Sequence, residues 1–194
     1  MSIESYREYI ETHIELIEAD EWKQFFENAP EGIGGLLYEA KIDFISPIKQ
    51  VPNWAFYKYE DLINMMIPNG ATRIGHGAFC DCSNLKSIVI PESIKSIGYE
   101  AFKNCVNLTN IVIPDGVDTL SWGMFENCNN LTNIVIGKGI THIASRPFEG
   151  CSNLTTIIFN GTKNMFKQIK KHKHWTDSTV TITCTDGDLT YTRY

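Results

Sequence analysis

The sequence predicts an α+β repeat fold. It reads as a right-handed solenoid of five 23-residue coils with a parallel sheet along one face, a helical N-terminal cap and a short helix–strand C-terminal cap. Three observations carry this. Phenylalanine recurs at Phe56, Phe79, Phe102, Phe125 and Phe148, always 23 residues apart. Leucine keeps the same step at Leu62, Leu85, Leu108, Leu131 and Leu154. Cysteine fills Cys82, Cys105, Cys128 and Cys151, with Tyr59 at that place in the first unit. Five units run over residues 46–160 without insertion or deletion. A fixed period of this length marks stacked repeats, in which one unit buries its apolar face only against its neighbours.

The elements follow in order. Residues 1–45 read as an acidic helical cap. Ile3, Tyr6, Ile10, Ile14 and Ile17 mark one face of a helix over 3–18. Asp20 is placed to N-cap a second helix holding Trp22, Phe25 and Phe26, ended near Pro30. Lys41 to Ile45 reads as a strand, because Ile42 and Phe44 fall two periods before Ile88 and Ile90. Within each unit, Leu85 to Ile90 ends in strand-like alternation, and Ile74, Ala78 and Phe79 turn inward again. Gly75 and Gly98 suit a tight bend between coils. Residues 161–194 read as the closing cap. Asn164 to about Lys171 forms a short helix with Met165, Phe166 and Ile169 inward, and Thr179 to Thr183 a last strand.

Composition narrows the function. The chain has 194 residues, 43% hydrophobic and 21% charged, with net charge −6. That size and balance support a packed core. A general nucleic-acid binder needs a basic footprint, so direct nucleic-acid binding is not expected. No apolar run approaches the roughly 18 residues of a membrane helix. Met1 to Glu18 lacks a basic region followed by an apolar one, so no secretory signal is read there and a cytoplasmic location is the expectation. The charge is uneven. Residues 1–45 hold 11 acids and 3 bases, residues 46–160 hold 9 and 8, and residues 161–194 hold 3 and 6.

The acidic head has a pattern. Glu4, Glu8, Glu11, Glu15 and Glu18 share one helical face, and like charges at i,i+4 cost roughly 0.2–0.5 kcal/mol each. A solvated face is the ordinary reading, and a row of carboxylates aimed at a basic protein surface is the functional one. The four in-register cysteines read as an inward ladder of small buried residues. Cys80 falls outside that register and points outward, which reads as an incidental exposed thiol or as a reactive one. Asn84, Asn107, Asn130 and Asn153 form a column whose amides satisfy turn backbone between coils. The basic run Lys170-Lys171-His172-Lys173-His174-Trp175 reads as a solvated face beside a packed Trp175, or as a patch for an acidic partner or phosphate. His13, His76 and His142 are scattered, and no nucleophile motif or phosphate loop is present. No catalytic residue, metal site or cofactor is expected.

Two surface columns remain. Met66, Val89, Val112, Val135 and Ile158 point away from the core with polar neighbours, which reads as a protein-binding strip or as ordinary strand propensity. Trp54, Tyr99 and Trp122 are large aromatics at the bend between strands, where packing does not demand them. They read as binding anchors or as shields for the coil edges.

The string Ile74-Gly75-x-x-Ala78-Phe79-x-x-Cys82-x-Asn84-Leu85-x-x-Ile88-x-Ile90-Pro91, repeated over 97–114, resembles the BspA-like leucine-rich repeats. The resemblance covers about 115 residues and implies a leucine-rich-repeat solenoid that serves as a binding surface. The tail from Asn160 through Gly187 is also similar to the ending of bacterial members. The expected function is non-catalytic, intracellular protein binding by an inhibitor or adaptor. A phage-encoded inhibitor of a host nucleic-acid-handling or defence enzyme is one form of it. The alternative is a cell-surface adhesion or carbohydrate-binding module. The protein is expected as a monomer or a cap-mediated dimer.

Overall fold

The structure is a computed structural model, and it describes residues 49–67, 69–176 and 179–191. The expected N-terminal helices and the strand over 41–45 lie outside the described residues, as does the Glu4–Glu18 stripe.

Each coil has three sides. The first is a wall of parallel strands: β2 (Asn64–Met66), β4 (Ser87–Val89), β6 (Asn110–Ile113), β8 (Asn133–Ile136) and β10 (Thr156–Phe159). The register is 23 residues wherever these strands pair, with Met66 opposite Val89, and Val112 opposite Val135, then Ile158; β2–β4 and β6–β8–β10 are separate ladders, with no pairing between β4 and β6. The second side is a wall of two-residue strands: β1 (Gln50–Val51), β3 (Arg73–Ile74), β5 (Ser96–Ile97), β7 (Thr119–Leu120) and β9 (His142–Ile143). β1–β3–β5 and β7–β9 pair in parallel at the same step, again with no pairing between β5 and β7.

The third side is held by turns. Residues 54, 77, 100, 123 and 146 all have left-handed φ near 60°, and 58, 81, 104, 127 and 150 form a second such column. The two bends turn the amides toward the next coil. Phe79 N–H donates to the Ala101 carbonyl at 2.8 Å, and Phe102 N–H to that of Met124 at 2.9 Å. The third side is therefore hydrogen-bonded at every coil junction, including the one where both strand walls break, and with the strand ladders it satisfies backbone that would otherwise be buried and unpaired.

Side chains of equal register stack inside this frame. Phe56, Phe79, Phe102, Phe125 and Phe148 lie with ring planes within 5° and centroids 5.0 to 5.9 Å apart. The rise per coil is about 4.8 Å, so the rings are offset rather than face to face. That is the favourable arrangement for neighbouring π-systems, worth about 0.5–1.5 kcal/mol per pair beyond burial. The cysteine ladder does more than fill space. The thiols of Cys82, Cys105, Cys128 and Cys151 donate to the carbonyls of Phe56, Phe79, Phe102 and Phe125, at 2.9 to 3.1 Å. The asparagine column behaves as expected, with Asn107 Nδ2 donating to the Ser83 carbonyl and Asn153 Nδ2 to that of Asn129.

Gly75 and Gly98 are demanded by close approach and not by a special φ. A Cβ on Gly75 would lie 2.5 Å from the Asn53 nitrogen, and one on Gly98 2.5 Å from that of His76. In the next coil Ser121 takes this place and donates its hydroxyl to the Ile97 carbonyl at 2.6 Å.

The solenoid continues beyond residue 160, giving about six turns. β11 (Lys170–Lys171) extends the second wall beside β9, and β12 (Val180–Cys184) extends the first beside β10. The register there is Lys170 opposite His142 and Thr181 opposite Thr156, so the 23-residue step is lost. Helix α1 (Lys163–Gln168) supplies the extra residues, N-capped by Thr162, whose hydroxyl accepts from Met165 N–H. Phe166 and Ile169 face inward as expected, whereas Met165 is exposed. β13 (Gly187–Tyr191) pairs antiparallel with β12 and closes this end.

The phenylalanine column generates a stability test. Phe102→Ala is expected to cost about 3–5 kcal/mol in urea unfolding. Phe56→Ala is expected to cost less, because Phe56 is only partly buried at the start of the column.

Candidate functional site

On the first wall, Ile88, Ile111, Ile134 and Ile157 face the core and their neighbours face outward. Met66 is 71% exposed, Val89 54%, Val112 53% and Ile158 36%, while Val135 is half-buried. The register aligns them into one aliphatic stripe that ends at Thr183 and Asp188. A polar column runs beside it. Ser87 Oγ donates to Asn64 Oδ1 at 2.6 Å, and Asn133 Nδ2 to Asn110 Oδ1 at 3.3 Å. The polar rungs tie the coils together and leave the aliphatic side chains without a cover among the described residues.

The aromatic column is arranged differently from the expectation. Tyr99 and Trp122 are in register with Asn53 and His76, but Trp54 sits one residue further along at a left-handed position. Its ring lies over Gly77, where a Cβ would come within 2.0 Å of Trp54 Cζ3. Trp54 therefore shields a glycine of the next coil and is a separate feature from Tyr99 and Trp122.

The Tyr99–Trp122 corner is built by coil-to-coil contacts. Asn53 Oδ1 accepts from His76 N–H at 2.8 Å, and His76 Nδ1 accepts from Tyr99 N–H at 2.9 Å. The His76 and Tyr99 rings stack at 4.8 Å. Below Trp122, Lys103 Nζ lies 5.8 Å from the ring centre, 2.7 Å from Glu100 Oε1 and 3.1 Å from Glu126 Oε1. The hydrogen bond from Glu100 leads in holding the Lys103 ammonium above the usual lysine range, with Glu126 adding to it against the opposing effect of burial. Gly123 leaves a notch here, since a Cβ would sit 3.2 Å from Glu126 Oε2 and 3.3 Å from Glu100 Cγ.

Cys80 is a correction. It is 5% exposed, and burial pushes its thiol up to about 12, with Asp81 adding to the effect. A thiol so protonated is not a nucleophile at neutral pH. The six cysteines are free and buried, and among the described residues no group of three or more His, Cys, Asp or Glu side chains is placed to hold a metal ion.

The basic run splits. Trp175 is buried and joins Phe166 and Tyr191 in an edge-to-face cluster with centroids 5.4 to 6.3 Å apart. Lys170, His172, Lys173 and His174 are exposed. Lys171 turns inward. Its ammonium donates to the Phe166 and Ile169 carbonyls at the end of α1 and lies 4.6 Å from the Phe166 ring centre. Burial lowers it from 10.5 to about 8. It acts as a C-cap for a helix end whose carbonyls have no further turn to receive them.

The family model for the BspA type leucine rich repeat region matches residues 49–173 in six copies, in keeping with the turn beyond residue 160. Among solved structures, the chain is similar to the T. pallidum leucine rich repeat protein at 29% identity and TM-score 0.55, over 56% of this chain and 51% of that one. It is similar to a leucine rich cell surface protein of Faecalibacterium prausnitzii A2-165 at 28% identity and TM-score 0.59, over 71% of this chain and 37% of that one. The pneumococcal vaccine antigen PcpA shares the fold at 22% identity and TM-score 0.61. This chain thus spans about half the length of the first of these, or less for the others. No curated protein matches it.

Two outcomes are expected from this chemistry. Native protein treated with iodoacetamide near pH 8 should show Cys80 modified no faster than Cys105 by mass spectrometry, with all six cysteines reacting in denaturant. Selective native labelling of Cys80 would contradict its burial. Lys171 has a folded value of about 8 against an ordinary 10.5, so the unfolded chain binds more protons across that window. Its contribution to stability rises with pH between these two values, and Lys171→Met should flatten that part of the Tm–pH curve.

Proposed function

This chain belongs to the BspA-type leucine-rich-repeat family, and on that premise we propose that it is a non-catalytic binding module whose ligand is a protein. The observation that carries the reading is the aliphatic stripe of Met66, Val89, Val112 and Ile158, exposed at one 23-residue step along the first wall and across its two parallel ladders. A contiguous apolar surface rimmed by polar side chains is the usual form of a protein contact. Because backbone hydrogen bonds tie every coil to the next, on the third side throughout and on the two walls within each ladder, little ordering entropy is lost when a partner docks.

The second reading, a cell-surface adhesion or carbohydrate-binding role, is favoured by the name of one structural relative, a leucine rich cell surface protein. The intracellular inhibitor or adaptor reading, phage-encoded or not, draws its support from the Glu4–Glu18 stripe and a partner with a basic surface.

One comparative experiment separates these. Tagged wild type, a Val89→Glu/Val112→Glu double variant and a Glu8→Lys/Glu11→Lys/Glu15→Lys triple variant are used as baits at low and high salt, with a glycan array alongside. A protein retained by wild type and lost at least tenfold with Val89→Glu/Val112→Glu supports the sheet as the binding face. Loss confined to the triple variant and to high salt moves the contact to the acidic segment and supports the inhibitor form. Glycan binding with no difference among the baits favours the surface role and overturns the sheet assignment.

A further inference from the structure

We infer that the exposed corner formed by Tyr99 and Trp122 receives a cationic side chain, arginine foremost, from an extended segment of a protein partner. This rests on the reading of the chain as a protein-binding module and names the chemistry of one contact.

Tyr99 is 55% exposed and Trp122 41%. Neither is needed by the core, whose apolar columns are complete without them. The Tyr99 face turned to His76 is occupied by the stacked imidazole, so a flat neutral ligand gains little by stacking there. A guanidinium needs only a ring face or edge region beside carboxylates, because it is held by ring electrostatics and by hydrogen bonds together.

The charge around the corner has the matching sign. The third sides of the coils, residues 52–61, 75–84, 98–107, 121–130 and 144–153, carry six acids against three bases. Two of those acids, Glu100 and Glu126, share the single ammonium of Lys103, which leaves a residual negative charge at the foot of Trp122. Lys103 itself shows what the place accepts: a cation beneath the indole and between two carboxylates. Gly123 has no side chain to cover Glu126 Oε2, which lies 3.2 Å from the position a Cβ would take, and the Glu100 and Glu126 side chains each keep 19% exposure. An arginine fork suits two such oxygens better than a lysine does, since its donors are planar and fixed.

The test is calorimetric titration of the full chain with a short glycine–arginine peptide, and with the same peptide carrying citrulline, which keeps the shape and removes the charge. The arginine peptide is expected to bind at low salt and the citrulline peptide at least tenfold more weakly. Trp122→Leu is expected to weaken arginine-peptide binding at least tenfold with its Tm unchanged, and Lys103→Met to strengthen it. The acidic segment 1–45 attracts a cationic peptide regardless of residue 122, so binding that is the same in wild type and Trp122→Leu overturns the inference. Glu100→Gln/Glu126→Gln is expected to weaken arginine-peptide binding as Trp122→Leu does; should it perturb folding, the Trp122→Leu and Lys103→Met pair carries the result alone. If these variants leave the peptide unaffected while Val89→Glu/Val112→Glu still abolishes protein capture, only the corner assignment fails. If neither surface matters to any protein ligand, the binding-module reading fails with it.

Discussion

The structure depends on one constraint: each coil must present the same kind of side chain at the same height as the coils around it. Backbone hydrogen bonds between coils, continuous on the third side and in two ladders on each wall, hold the rise near the spacing of adjacent strands, about 4.8 Å. At that distance a buried residue touches its own equivalents before anything else. Phenylalanine answers with an offset ring stack. Cysteine answers because it is small enough to repeat every coil and carries a donor for the Phe carbonyl of the coil before it. Each of these carbonyls has a second lone pair to offer. The Phe79 carbonyl, for example, accepts from Cys82 N–H as well as from Cys105 Sγ. A serine at the cysteine position has a shorter reach to that carbonyl, and an alanine leaves the carbonyl with one donor fewer.

This constraint explains which parts of the fold were legible in the sequence. Columns that meet themselves inside the core must repeat, so Phe, Leu, Cys and Ile gave the period and the first strand wall, whereas the two-residue strands of the second wall are too short to show alternation. The C-terminal turn was read only as a cap because its register steps are larger than 23, with α1 inserted between β10 and β11. A period search does not see a turn that has changed length, even though the pairing continues. Cys80 was misplaced for a related reason. Alternation assumes extended backbone, but residues 77 and 81 on either side are left-handed, and two such bends return the side chain of residue 80 to the interior. Trp54 was grouped with Tyr99 and Trp122 by aromatic character alone, although it lies one residue out of their register and serves its neighbour's glycine.

Outward positions obey a weaker rule, and there the sequence says less. Stacking fixes where an outward side chain points but not what it is, so its identity reflects the partner or nothing more than strand propensity. The aliphatic stripe was visible because it repeats in every coil. The cation seat below Trp122 was not, because its parts come from different columns. Glu100, Lys103, Trp122 and Glu126 converge only through the side-by-side placement of two coils. A single-coil comparison treats each as an isolated irregularity. Lys171 is similar: within a run of bases it looked solvated, and only the end of α1 makes it a cap.

The two exposed surfaces sit on different sides of the coil. The stripe belongs to the first wall, whereas Tyr99 and Trp122 stand where the second wall meets the third side. A ligand that uses both must wrap an edge of the solenoid, and a compact globular partner cannot do so without a large contact area. An extended segment can, since it is narrow enough to turn over the edge and a few of its residues, at about 3.3 Å each, span several coils. The rigid repeat thus favours linear determinants over isolated pockets. It also makes the two surfaces energetically separable, because sites that share no neighbours contribute almost additively. Any strong coupling between them would have to come from the ligand and not from the solenoid, whose coils are already locked in register by the backbone.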